Sequence, residues 1–469
     1  MQRLVRLPWL VVMLLALLPA PAGAGTLTVT RTDDPPPDGC SAGDCSLREA
    51  VLAANTSVGP DAVLVPAGRY VLSIPPDGTP DDGLDGDLDI TEDLILEGAG
   101  APTTILDANH VDRVVQVICC ETDVFITGVT ITNGTTANPF GGGGVMGLSV
   151  QVTLSKVSVV GNVTTNANGG GVSVSNPDAR LNILDSTITG NVASEPGGAN
   201  GGGISNGNQA TAVLSNVTVS ANRASQVGGG IDASGPITLT NVTITGNAVM
   251  PDAGYMGSSR GGGIFFGGAS AQMTDTIMAG NTAATEDPDC YSITQVTSGG
   301  HNLVQTHNSP NCGFTTVEGD LTGVDPLLGP LTDNGGPTMT HALLSGSPAI
   351  DAGGPGCAGN DQRGLARVDC DIGAYELVFC RGIPVNRVGT LEGDSLVGTP
   401  GKDGLLGLGG RDRLRGKGGA DGLCGGPSKD LLKGGGGKDR FDGGPGRDTC
   451  LGQAGRDKAK GCELKKSIP

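Results

Sequence analysis

From residue 389 onward an aspartate recurs every nine residues without interruption: Asp394, Asp403, Asp412, Asp421, Asp430, Asp439, Asp448 and Asp457. A glycine stands five residues before each, and a second usually stands two before. An apolar residue usually follows two after, as at Leu396, Leu405, Leu414, Leu423, Leu432 and Phe441. A flexible linker has no reason to hold such a phase with an apolar residue at a fixed offset. Winding does: each x-apolar-x triplet makes a short strand pointing its apolar member inward, and two repeats build one turn. The spacing predicts a parallel β-roll within residues 380–469.

Calcium fits such corners, because it takes six or more hard oxygens and a glycine-rich turn supplies carbonyls where aspartate supplies charge. The eight aspartates are the candidate metal ligands and Ca²⁺ the expected cofactor, with about six ions at full occupancy. The unit resembles the G-G-x-G-x-D-x-U-x nonapeptide of RTX (hemolysin-type) calcium-binding repeats. It departs from that pattern where Glu392 and Ser428 replace the second glycine and Cys450 and Ala459 replace the apolar residue. A Lys or Arg also precedes the aspartate at 402, 411, 429, 438, 447 and 456, which lowers the local negative potential.

A different period runs upstream. The segments LSKVSVVGN, ILDSTITGN, LSNVTVSAN, LTNVTITGN and MTDTIMAGN end at Asn162, Asn191, Asn222, Asn247 and Asn281, at spacings of 29, 31, 25 and 34. Between them Gly-Gly-Gly leads into Val145, Val172, Ile204, Ile231 and Ile264. Alternating Val/Ile and Thr/Ser at such periods predicts one β-coil per unit, stacked at about 4.8 Å. Leu154, Ile183, Leu214, Leu239 and Met273 then form one inward ladder, and Val159, Ile188, Val219, Ile244 and Met278 a second. The recurrent Asn is expected in the left-handed region, bonding its neighbours along the stack.

This pattern resembles the right-handed parallel β-helix superfamily, and its markers are similar to repeats of bacterial polymorphic surface adhesins. Cys45-Ser46-Leu47-Arg48-Glu49-Ala50 looks like the CSLREA-type N-terminal module, and Ser46 to Asn55 reads as a short amphipathic helix plugging the open end of the stack. Asn334-Gly335-Gly336-Pro337-Thr338, Ser347 to Asp351, Asp361 to Gly364 and Asp371 to Glu376 are similar to the choice-of-anchor Q domain, which implies a closing region ahead of the tail. The expected order is a signal peptide (1–24), cap and first coils (25–125), β-helix repeats (126–325), closing region (326–379) and β-roll (380–469).

Composition agrees with an all-β solenoid, since 82 glycines and 3% aromatic residues exclude helix bundles. Residues 1–24 carry Arg3 and Arg6, an apolar run from Leu7 to Leu18 and Ala22-Gly23-Ala24, the layout of a secretory leader, and no later segment has the length of a membrane span. A secreted protein, with cell-surface association as the alternative, is expected. Twelve cysteines suit an oxidising compartment, with Cys40–Cys45, Cys290–Cys312, Cys357–Cys370, Cys380–Cys424 and Cys450–Cys462 as the near-neighbour pairs and Cys119–Cys120 adjacent. From Gly25 to Phe379 there are 10 Lys+Arg against 37 Asp+Glu; from Cys380 to Pro469 there are 17 against 11. So acidic a body repels nucleic acid, and anionic polysaccharide too unless divalent cations intervene.

Catalytic signatures are sparse. Residues 133–281 hold Asp178, Asp185, Glu195, Asp232, Asp252 and Asp275 with no adjacent Asp pair, and the four histidines at 110, 301, 307 and 341 are scattered. Asp185 and Asp275 share a column with Asn216 and Asn241, which reads as a turn. The acidic run Asp77 to Asp93 begins like an EF-hand loop at Asp85 but has Leu96 at its twelfth position, so a solvated turn is expected. The sequence favours a non-enzymatic extracellular adhesion or interaction protein with an extracellular polysaccharide or cell-surface partner; a calcium-dependent polysaccharide lyase or glycoside hydrolase is the alternative.

Overall fold

In this computed structural model the described residues are 25–468 except 58, 78–82, 119–121, 196–197, 208, 252–258, 269, 285–286, 308–310 and 356–358. The leader-like residues 1–24, the Cys119–Cys120 pair and Cys357 lie outside them. Parallel sheets of 17, 8 and 6 strands form the body, and two parallel five-stranded sheets form the tail. The expected all-β fold, a parallel β-helix followed by a parallel β-roll, is what forms.

Coils stack in the expected register. Leu154, Ile183, Leu214, Leu239 and Met273 pair in sequence across neighbouring strands, as do Val159, Ile188, Val219, Ile244 and Met278. All ten are fully buried. The Gly-Gly-Gly marker delivers a third ladder, Val145, Val172, Ile204, Ile231 and Ile264, on the 8-stranded sheet. Its glycines are required where coils touch: a Cβ on Gly203 would lie 2.7 Å from the Gly230 carbonyl and 3.0 Å from the Asn222 side chain.

The terminal asparagines bond along the stack, but not from the left-handed region. Positive φ falls instead on the residue before each, Gly161, Gly190, Ala221, Gly246 and Gly280. That twist turns the asparagine inward, where Asn162 Nδ2 donates to Asn191 Oδ1 (3.0 Å), Asn191 to Asn222 (2.9 Å), Asn222 to Asn247 (3.0 Å) and Asn247 to Asn281 (2.9 Å). Each amide also donates to a carbonyl of an earlier coil, so donor and acceptor are both satisfied in the dry interior. Asp185, Asn216, Asn241 and Asp275 do take positive φ, which gives that column its turn role.

At the N-terminal end, Ser46 caps the helix Leu47–Thr56 in a capping box with Glu49. Arg48 is buried and paired with Asp34 at 2.8 Å, and its guanidinium also donates to the carbonyls of Asp85, Gly86 and Asp87 (2.9–3.0 Å). The acidic run is a solvated turn only at its margins, where Asp77, Glu92 and Asp93 are exposed: in its middle Asp87 and Asp89 are buried, Asp87 pairs with Arg113, and the carbonyls of Asp85 to Asp87 face Arg48.

Residues 326–379, expected to close the helix, lie along its flank. Gln362 Nε2 donates to Thr187 Oγ1 (2.9 Å) and its Oε1 accepts from Thr218 Oγ1 (2.7 Å), while Thr243 Oγ1 accepts from the Ala374 amide (3.0 Å). The segment holds itself through the buried Asp361–Arg363 pair (2.8 Å), with the Arg363 guanidinium 3.7 Å from the centre of the Tyr375 ring, and through the Glu376 carboxylate, which accepts from the Asp371 amide (2.9 Å) and pairs with Arg367. Asp333 and Arg387 (2.6 Å) link it to the tail.

In the tail each strand pairs with the one 18 residues on: Leu405, Leu423, Phe441 and Ala459 in one sheet, Leu396, Leu414, Leu432 and Cys450 in the other. Two nonapeptides thus make one turn. The last pairing is shorter, Cys450 facing Lys465 at an offset of fifteen. Disulfides join Cys40–Cys45, Cys290–Cys312, Cys380–Cys424 and Cys450–Cys462, all as expected.

Candidate metal centre

The 18-residue turn sorts the eight aspartates into two files, Asp394, Asp412, Asp430 and Asp448 along one edge of the roll and Asp403, Asp421, Asp439 and Asp457 along the other. Seven are buried and Asp394 is half-buried. Within each file the backbone amide of one aspartate donates to Oδ1 of the next: Asp394 to Asp412 (2.8 Å), Asp412 to Asp430 (2.8 Å), Asp430 to Asp448 (2.8 Å), Asp403 to Asp421 (2.9 Å), Asp421 to Asp439 (3.0 Å) and Asp439 to Asp457 (2.9 Å).

The second carboxylate oxygen divides the eight into two kinds. In Asp394 and Asp403, Oδ2 accepts from the amide and hydroxyl of Thr390 and Thr399, four residues earlier. In Asp412, Asp421, Asp430, Asp439, Asp448 and Asp457, Oδ2 is buried without a hydrogen-bond partner. The cause is conformational. At the corresponding positions Leu408, Lys417, Gly426, Gly435, Gly444 and Gln453 all have positive φ, whereas Thr390 and Thr399 do not. The left-handed twist removes the local amide from the carboxylate, and at Leu408, Lys417 and Gln453 it does so against the preference of a residue bearing a Cβ.

Glycine five residues before each aspartate completes the corner. A Cβ on Gly407, Gly416 or Gly425 would strike both Oδ2 of the following aspartate and the carbonyl oxygen of the glycine one turn on, Gly425, Gly434 and Gly443. One carboxylate and one carbonyl oxygen therefore crowd over each glycine. Among the described residues no three His, Cys, Asp or Glu side chains gather into a metal cluster. A bound ion there has to draw most of its oxygens from carbonyls, as calcium does and softer metals do not.

Electrostatics point the same way. Burial pushes the carboxyls of Asp421 and Asp430 up to about 6, helped by aspartates one turn away (Asp439 and Asp403, Asp412 and Asp448) and opposed by the amide each accepts from. Burial likewise raises Asp412, Asp439 and Asp448. Orphaned buried oxygens, stacked like charges and a carbonyl-rich corner together fit a hard divalent cation.

One acid and one histidine weighed for catalysis, Asp275 and His301, fall beside one concavity. A cleft of about 700 Å³ on the flank is lined by Asp275, His301 and Glu318 with Asn241 and Gly354. Burial raises Asp275, whose Oδ1 accepts from the Gly354 amide (2.7 Å), and His301 Nδ1 donates to the Ala352 carbonyl (2.8 Å). Glu318 carries no catalytic signature in the sequence, and Asp275 and His301 stand far apart in it; the positive φ they share is the trace of their common turn position.

No curated protein matches the chain. Among solved structures, the crystal structure of pectate lyase Pel9A aligns over 75% of this chain and 96% of its own, at 13% identity and a TM-score of 0.37. The family model for the RTX calcium-binding nonapeptide repeat (four copies) matches residues 388–423 and again 425–459. Those two stretches are RTX nonapeptide repeats, and RTX nonapeptide repeats bind calcium.

Proposed function

We propose that this is an exported, non-catalytic adhesion or interaction protein: a β-helix rod that presents its loops to an extracellular polysaccharide or cell surface and carries a tail folded by calcium. In this reading all eight tail aspartates serve the metal, the six with an orphaned Oδ2 as direct ligands and Asp394 and Asp403 as the weaker, threonine-satisfied end. Those six buried, unpartnered oxygens carry the calcium part of the proposal. The four disulfides among the described residues accord with an extracellular setting, and no helix among those residues is long and apolar enough to cross a membrane. The non-catalytic part rests on the flank: Thr187, Thr218 and Thr243, which would line a groove along the coils, are bonded to residues 339–374.

Incubating the purified protein with pectins, alginates and glycosaminoglycans tests it, with no turnover expected and calcium-dependent retention on cells or matrix expected. The lyase or hydrolase reading has one observation in its favour, the Asp275–His301–Glu318 cleft. Turnover abolished by Asp275→Asn would establish that reading and overturn ours. Export is checked by blotting culture medium and cell fractions.

A further inference from the structure

The tail's cations are not scattered, and few of them are paired. Of the eleven carboxylates between residues 380 and 469, eight belong to the two files, and Glu463 prolongs one of them by accepting from the Asp448 amide (2.6 Å). Outside remain Glu392 and Asp442, against 17 Lys and Arg, nearly all exposed. Five of these, Lys402, Lys438, Arg440, Arg456 and Lys458, line a single cleft of about 460 Å³ on the roll. Among the described residues, the tail's ion pairs, Arg387–Asp333 and Lys460–Asp442, use other cations. Arg440 and Lys458 even face each other directly in the parallel register, an arrangement that costs stability.

We infer that this cleft binds an acidic polysaccharide, whose carboxylate or sulfate groups run along the stack. The inference deepens the interaction reading by naming the partner's chemistry, and it rests on that reading for the calcium-folded roll. Equivalent positions one turn apart, Lys438 and Arg456 or Arg440 and Lys458, repeat at about 4.8 Å. They present a line of charge to a polymer of regularly spaced anions, not to a single small ion. Nucleic acid is a poorer fit, since Phe441 is the tail's lone aromatic and is buried in the roll core, leaving no surface on which a base can stack. A membrane is poorer still, because the site is concave and its apolar members are only Ile383, which is buried, and the small Ala420, which is half-buried. Calcium sharpens the site, for each ion neutralises carboxylates lying behind the cleft, Asp439 among them.

The test uses the full-length protein in calcium, fluorescent oligogalacturonate and dextran sulfate oligosaccharides as separate arms, and two charge-matched triple variants. Lys438→Gln/Arg456→Gln/Lys458→Gln alters the cleft, and Arg411→Gln/Lys429→Gln/Arg447→Gln alters the opposite edge. The cleft variant is expected to lose roughly tenfold or more in affinity and the opposite-edge variant less than about threefold. Preference between the arms tells uronate from sulfate ester. Equal losses in both variants, binding of neither polymer, or tighter binding of single-stranded DNA or anionic vesicles would each overturn the inference. Circular dichroism on the same samples reads calcium folding separately. A calcium-indifferent spectrum sinks the calcium reading, while the cleft is judged by its variants alone.

Discussion

Body and tail both stack parallel coils around a polar file, and they differ in one atom. In the body the file is asparagine, and each amide from Asn162 to Asn247 accepts on Oδ1 and donates from Nδ2 within the protein. In the tail the file is aspartate, whose Oδ1 makes the same coil-to-coil bond to a backbone amide but whose second atom is an oxygen with nothing to donate. An amide file completes itself; a carboxylate file needs a cation. On the proposed calcium reading, the body's file stands without metal whereas the tail's depends on it.

Chelation should break that comparison most visibly. With EGTA, and the tail disulfides reduced, the roll over 389–460 is expected to lose its β-signal and its protection from hydrogen exchange while the body keeps both. Cys380–Cys424 and Cys450–Cys462 should preserve part of the roll if left oxidised. Equal protection of the tail with and without calcium would refute the contrast. Next in size, Asn222→Ala removes the side chain that bonds Ile188, Asn191 and Asn247, and should destabilise the body by about 2–4 kcal/mol in thermal or denaturant unfolding, irrespective of calcium.

Sharpening the comparison means converting one file into the other. Asp421→Asn with Asp430→Asn should weaken calcium binding by roughly tenfold or more while making the calcium-free roll more stable, because a buried repulsive charge is removed. Isothermal titration and calcium-free melting read the two opposite signs, and a variant weaker on both counts would deny that repulsion opposes the empty roll. The smallest expected effect is with pH. Asp421 and Asp430 bind protons more tightly folded than unfolded, so calcium-free stability is highest below about 4 and falls as pH rises through about 6. Calcium affinity should climb over the same interval, as protons cease to compete for the carboxylates; pH-resolved melts with and without calcium check both slopes.

Where periodicity was strict, the sequence was enough. Leu154 to Met273 and the nine-residue aspartate phase carry their register in their spacing, and Ser46 with Glu49 announces a helix start within four residues. Three features were not legible. The lateral docking of residues 326–379 depends on partners such as Gln362 and Thr187, 175 residues apart, which no local pattern links. The carbonyls of Asp85 to Asp87 looked like a solvated loop because Arg48, which organises them, lies in another motif. The split among the tail aspartates hid in the residue four before each: threonine there keeps an amide on the carboxylate, whereas Leu408 and Lys417 give no sign in their chemistry that the backbone turns left.

The shortened final turn has a consequence for assembly. A solenoid of identical rungs offers its terminal edge as a template for more rungs, from its own chain or a neighbour's. Here Glu463 takes the Asp448 amide three residues ahead of schedule, and Leu464–Lys466 closes the sheet with two lysines at its margin. That phase slip breaks the nine-residue register, and the exposed Lys465 and Lys466 set like charges along a strand that would otherwise offer free backbone groups for pairing.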